Sequence, residues 1–242
     1  EQFDKTFYFP QDHGLSDLYF EVHHNKLLEN VKKNLTLGNL KELYYRVYWT
    51  KDNKSEIEVV GLPEGFKELR DELKFFIVER LDFVLPVKFK ERYADFKFTE
   101  KQTAGKTLLE LNSDAVTSEY SNLVLEFGEK GLLDKVIAKD SGVRSESIIT
   151  YAQLDSSVKG FIVDKVVTEK LQGIHSTKLS FKLKYDKVGS FALPVSLEAE
   201  GVQSLSKTVQ TKEKVEPVTE NWVITFKNYK VNSGEAAKYF NK

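Results

Sequence analysis

The chain has 242 residues, enough for one β-rich domain with a full-sized core. Hydrophobic residues make up 40% and charged residues 30%, a composition of neither a disordered segment nor a membrane-spanning bundle. Lys and Arg number 36 against 37 Asp and Glu, so no global basic field exists to hold nucleic acid, and the absence of Cys removes disulfides, thiol nucleophiles and thiolate zinc sites together.

Met is absent as well, so the chain is expected to have lost its natural start. No signal-peptide pattern follows Glu1, and no run nears the ~18 apolar residues of a membrane span. Residues 1–15, with Pro10 and Gly14 as breakers, are expected to form an N-terminal arm. Ser16 then reads as an N-cap. Phe20, His23, His24, Leu27, Leu28, Val31 and Leu35 recur at spacings of three and four, which predicts a helix over about 17–33. The period changes to two at Leu43, Tyr45, Val47 and Trp49, and again at Ile57 and Val59, predicting a hairpin turned at 52–55. Phe66, Leu69, Leu73, Phe76, Ile77 and Leu81 restore the helical period over about 64–82, and Pro86 blocks its continuation.

From Pro86 onward strands are predicted at 87–98, 106–112, 121–128, 131–139, 145–152, 160–170, 176–186, 190–200 and 218–230, with turns at 128–131, 140–142, Gly173, 186–189 and Gly201. Residues 202–217 are polar and are expected to be a long exposed loop. About eleven strands cannot lie flat in one open sheet, their apolar face needs cover, and two early helices are available to supply it. The expected fold is therefore α+β: a strongly curved antiparallel half-barrel spanning residues 1–242 as one domain, with both helices on its concave face.

Catalytic signatures are wanting. His23 and His24 are adjacent on the predicted helix and point about 100° apart, which suits no shared metal. Ala104-Gly105-Lys106-Thr107 has the residues of a phosphate-loop end, but Glu100 stands where the first Gly is required and a strand pattern follows. Ser156-Ser157-Val158-Lys159 has the spacing S-x-x-K without a helix to align Ser and Lys. Neither an enzyme activity nor a cofactor is expected. What stands out is aromatic density: 17 Phe, 11 Tyr and 2 Trp, many at alternating strand positions. A subset lining a pocket for an acyl chain is the functional reading, since a long chain buried at roughly 25 cal/mol per Å2 gains several kcal/mol without any charged contact. The candidate ligand-binding residues are Tyr45, Val47, Trp49, Phe89, Leu109, Phe127, Phe181, Leu183 and Trp222.

The order helix, two strands, helix and long meander, with Leu123 to Leu133, Phe191 to Leu197 and the closing run Trp222 to Asn232, resembles the LolA/LolB lipoprotein-carrier superfamily, which includes RseB-like and LppX/LprG-like lipid-binding proteins. The resemblance implies an eleven-stranded half-barrel lidded by helices, a periplasmic or cell-envelope location, and transport of acylated cargo. It also implies an arginine on an early strand that holds cargo; Arg46 is the comparable residue, and its parity sets it with Tyr44 and Tyr48. The expected partners are a lipid or an acylated lipoprotein, and an envelope protein, with any membrane anchor outside this chain. The alternative is an envelope scaffold or sensor that docks proteins on the half-barrel; an enzyme would need converging polar side chains.

Overall fold

The N-terminal segment, expected as an arm, contains helix α1 (Gln2–Thr6) and a 3-10 turn at Pro10–His13. Tyr8, Phe9 and Leu15 around that turn are buried. The computed structural model describes all residues except 36–39, 53, 104, 114–121, 141, 154–158, 206–215 and 242. Residues 17–33, expected as one helix, divide into strand β1 (Asp17–His24) and helix α2 (Leu27–Leu35). Then come β2 (Tyr44–Thr50), β3 (Lys54–Val60) and α3 (Lys67–Leu81), close to expectation. The misread segment carries two periods at once. Leu18, Phe20 and Val22 alternate with Asp17, Tyr19, Glu21 and His23, and strand partners on both edges let the period of two prevail.

Residues 87–98, expected as a strand, hold the short helix α4 (Phe89–Arg92) and only the start of β4 (Lys97–Thr103). The Asp4 carboxylate accepts a hydrogen bond from the Phe89 backbone N–H at 2.8 Å, satisfying one of the orphan donors at a helix start. Eight further strands follow: β5 (Lys106–Asn112), β6 (Asn122–Phe127), β7 (Leu133–Asp140), β8 (Val143–Gln153), β9 (Phe161–Gln172), β10 (His175–Val188), β11 (Phe191–Leu205) and β12 (Val218–Val231). Helix α5 (Glu235–Phe240) closes the chain. Gly201 lies inside β11 rather than in a turn, as do residues 202–205 of the expected 202–217 loop, because the strand pairing runs on through them, and residues 206–215 fall outside the described residues. The twelve strands form one sheet in the order β3-β2-β1-β12-β11-β10-β9-β8-β7-β6-β5-β4. The α+β class and the antiparallel sheet expected of a half-barrel are both present, with β1 as the strand not foreseen. Among the described residues no helix is long and apolar enough to cross a membrane.

The chain divides into two compact units: residues 1–8, 87–182 and 199–221, and residues 9–86, 183–198 and 222–242. In the first, Leu111, Leu123, Leu125, Phe127, Leu133 and Ala138 form a buried cluster, with Phe3 of α1 and Phe89 of α4 packed on it. The other side of these strands carries ion pairs: Lys101 to Glu110 at 2.7 Å, Lys135 to Glu146 at 2.8 Å, and Lys106 to Glu126. Opposite charges on neighbouring strands fit a solvated face and add little stability individually.

In the second unit, β1 sits between β2 and β12. Tyr19 opposes Lys230 but Glu21 opposes Lys227, so β12 carries one extra residue at this point. Asn228 takes a left-handed conformation there (φ 53°), which Asn tolerates better than most side chains. The bulge sends the Asn228 amide to Glu21 at 2.8 Å and stacks Tyr229 on Phe20 at 5.3 Å. Helix α5 packs on β1 and β2, with Ala236 against Tyr19 and Tyr48 and the Tyr239 ring stacked on Tyr48 at 4.0 Å. The buried Asp17 carboxylate anchors this helix by accepting from the N–H groups of Gly234 (3.0 Å) and Ala237 (2.8 Å). Asp17→Ala leaves those donors unmet, so it should lower stability by about 1–3 kcal/mol in urea unfolding and speed amide exchange across 235–240 more than elsewhere.

Candidate functional site

The two faces of β1, β2, β3 and β12 in the second unit differ in chemistry, because alternation assigns every second residue to each. One face is polar and internally satisfied. The Glu21 carboxylate accepts from the Tyr19 hydroxyl (2.9 Å), the His23 ring nitrogen (3.1 Å) and the Asn228 amide (2.8 Å). Burial works against its charge, but those three hydrogen bonds outweigh it and hold the carboxyl below its usual range. Burial, with Glu21 beside it, pushes the Tyr19 phenol up to about 12, so it stays a donor. The Arg46 guanidinium donates to the Tyr44 hydroxyl at 2.9 Å and lies 3.9 Å from Glu58, which accepts from the Tyr48 hydroxyl at 3.2 Å. The His23 ring stacks on Tyr44 at 4.8 Å. Charges and donors on this face largely satisfy one another, while the buried Arg46 Nε finds no partner among the described residues.

The opposite face is apolar. Leu18, Phe20, Tyr45 and Val47 are fully buried, and Ile57 and Val59 continue the layer on β3. Helix α3 lies against β3 and contributes Leu73 and Ile77 to the buried set. Its last turn adds Arg80, a buried cation. The Arg80 guanidinium donates to the Phe76 carbonyl at 2.5 Å and to Glu79 at 2.7 Å, and sits 3.8 Å above the Phe76 ring. His24, at the end of β1, has its ring 5.6 Å from Phe76 and 6.3 Å from Trp222. Its Nδ1 accepts the Lys26 backbone N–H at 3.1 Å. Burial, helped by the charges of Arg80 and Lys26, depresses its pKa from 6.5 to about 4, so the ring is neutral at neutral pH. Burial raises the Tyr45 phenol, with the Arg80 charge opposing, so Tyr45 keeps its proton. The Tyr45 hydroxyl and the Trp222 indole N–H are both buried and find no hydrogen-bond partner among the described residues.

The residues singled out from the sequence fall into separate groups. Tyr45, Val47 and Trp49 share the apolar face of β2, and Trp222 reaches this region through His24. Leu183 is buried on β10 in the same unit. Arg46 lies on the polar face, as its parity requires, away from the apolar layer. Phe89, Leu109 and Phe127 meet in the core of the first unit, where the Phe89 and Phe127 rings are 5.4 Å apart, and Phe181 is buried on β10 opposite Val166. Neither His24 nor Arg80 stands among the candidate residues read from the sequence. His24 was placed on a helix, and Arg80 carries no local mark that separates it from a surface cation. No protein-family model, curated protein or solved structure matches the chain.

The depressed His24 pKa has a definite sign. Between about pH 6.5 and about pH 4 the unfolded chain takes up a proton that the folded ring refuses, so this contribution is complete above the window and lost as pH falls through it. His24→Gln should remove a pH-dependent part of the unfolding free energy on the order of 1–2 kcal/mol, after allowance for solvent screening. Urea unfolding of both proteins at pH 7 and pH 4.5 reads the difference; equal losses on acidification would contradict it.

Proposed function

We propose that the protein binds a lipid, or the acyl chains of a lipoprotein, in the apolar layer that α3 covers, and carries it within the cell envelope without a chemical step. The observation that carries this reading is the way α3 is held. Only Leu73, Ile77 and Arg80 are buried on it, its N-terminus has no side-chain cap, and its ion pair from Lys74 to Glu56 is partly exposed. Phe75 and Val78 on the same helix are 65% and 51% exposed. Such a helix is a cover with grease on both sides.

Magnitudes favour exchange of cover for cargo. Withdrawing Leu73 and Ile77 costs about 1.5–3 kcal/mol each, and the half-buried Leu69, Phe76 and Leu81 add about 1 kcal/mol each. A 16-carbon acyl chain, at about 0.8 kcal/mol per buried CH2, returns roughly 10 kcal/mol on entering the same layer. Displacing α3 is therefore affordable for long-chain cargo and not for small polar molecules. Phe75 and Val78 would meet the donor membrane first, where exposed apolar side chains gain most.

Native mass spectrometry of gently purified protein should show added masses that organic extraction removes and that fragment as acyl lipids. Protein that stays free of lipid after incubation with phospholipid vesicles would refute the reading. The double variant Phe75→Ser/Val78→Ser should leave stability within about 0.5 kcal/mol and slow transfer of a fluorescent acyl probe from vesicles several-fold. Unchanged transfer would remove these residues from the route.

A further inference from the structure

Two buried polar atoms near the last turn of α3 and His24 find no partner among the described residues. Tyr45 is completely buried, and its register neighbours Val22 on β1 and Val59 on β3 offer no side-chain acceptor. Its hydroxyl has no partner among the described residues, and neither has the buried indole N–H of Trp222. Of the polar groups nearby, Arg80 can only donate, and the His24 Nδ1 already accepts from Lys26. Phenylalanine at position 45 would fill the same volume without a hydroxyl, so the hydroxyl adds nothing to stability unless some group accepts from it.

We propose that the Tyr45 hydroxyl and the Trp222 indole N–H are donors for the acyl ester or amide group of the bound lipid, fixing where its chain enters the apolar layer. This rests on the lipid-binding reading and goes further by naming the chemical group recognised. A carbonyl is the acceptor that comes attached to a long apolar body, and ester and amide carbonyls both have the lone pairs to take two donors. A carboxylate fits less well. Arg80 is already paired with Glu79, so a second anion would bring an uncompensated charge into a buried place. The neutral His24 ring adds no charge to oppose this.

The test uses the 242-residue chain, delipidated, and two ligands that differ in the carbonyl. These are 1-monopalmitoylglycerol, an ester, and 1-O-hexadecylglycerol, the ether of equal chain carbon count. Affinities are read by displacement of an environment-sensitive fluorophore. The wild type should prefer the ester about tenfold, the gain expected from a carbonyl meeting otherwise unpaired donors. Tyr45→Phe and Trp222→Phe should each reduce that preference several-fold, with ether affinity unchanged, and the double variant should abolish it. Without ligand, Tyr45→Phe should melt at the same temperature as the wild type or higher. That combination, equal or better stability with poorer ester binding, is not produced by a purely structural hydroxyl.

Equal affinity for ester and ether in the wild type overturns the carbonyl anchor while leaving lipid binding intact. Binding of neither ligand overturns both. A lower melting point for Tyr45→Phe, with ester and ether weakened alike, assigns the hydroxyl to a buried water and also overturns the proposal. A diacyl phospholipid and a triacylated lipopeptide share the carbonyl; retention of either, with loss in the double variant, supports the proposal and names the source of the cargo.

Discussion

Strand β1 has to serve two unlike surroundings at once, and the second unit is arranged around that demand. Leu18, Phe20 and Val22 enter the apolar layer, while Asp17, Tyr19 and Glu21 turn to the polar side. Asp17 then anchors α5, and Glu21 gathers Tyr19, His23 and Asn228. Because side chains alternate strictly, a slip of one residue in the pairing of β1 would exchange these sets completely. Moving Asp17 and Glu21 into the layer of Leu18 and Phe20 would take both carboxylates away from their donors, so the register is fixed by the cost of the alternative as much as by the gain in the native one.

The two faces resolve their polar groups differently. On the polar side, donors and acceptors lie within hydrogen-bond reach of one another, and the pKa directions of Tyr19 and Glu21 keep each in its present role. On the apolar side, Tyr45 and Trp222 bring polar atoms into a layer that gives them no partner among the described residues. Unmet buried groups of this kind are rare in native interiors. The buried Arg80 and the neutral His24 belong to the same neighbourhood, which separates it from the carboxylate-centred network behind the sheet.

Much of the fold was legible because it is written locally. The alternation in 44–50, 54–60 and 106–112 needs only neighbouring residues to be read, and α3 shows three full turns of apolar spacing. Strand β1 was not legible because Phe20, His23, His24 and Leu27 also satisfy a helical spacing; partners more than 200 residues away in β12 decide between the two. Helix α4 was hidden for a similar reason, since Asp4, 85 residues distant, completes its first turn. The candidate site was legible in half. Aromatic density pointed to Tyr45 and Trp222, and parity placed Arg46 with Tyr44 and Tyr48. Which aromatic carries an unmatched polar tip depends on what stands opposite it, and that is a property of register rather than composition. Phe89, Leu109 and Phe127 share the aromatic signal yet build the core of the first unit.

The bulge in β12 bears on how this strand can change its length. Asn228 is the surplus residue that keeps Phe226 and Tyr229 on one side although three positions separate them. A deletion at 227 or 228 is absorbed by restoring plain alternation, with the aromatic pair still facing Phe20. The same deletion between Trp222 and Phe226 turns Trp222 outward. Gain or loss of single codons during evolution is therefore tolerated at one point along this strand and punished a few residues earlier.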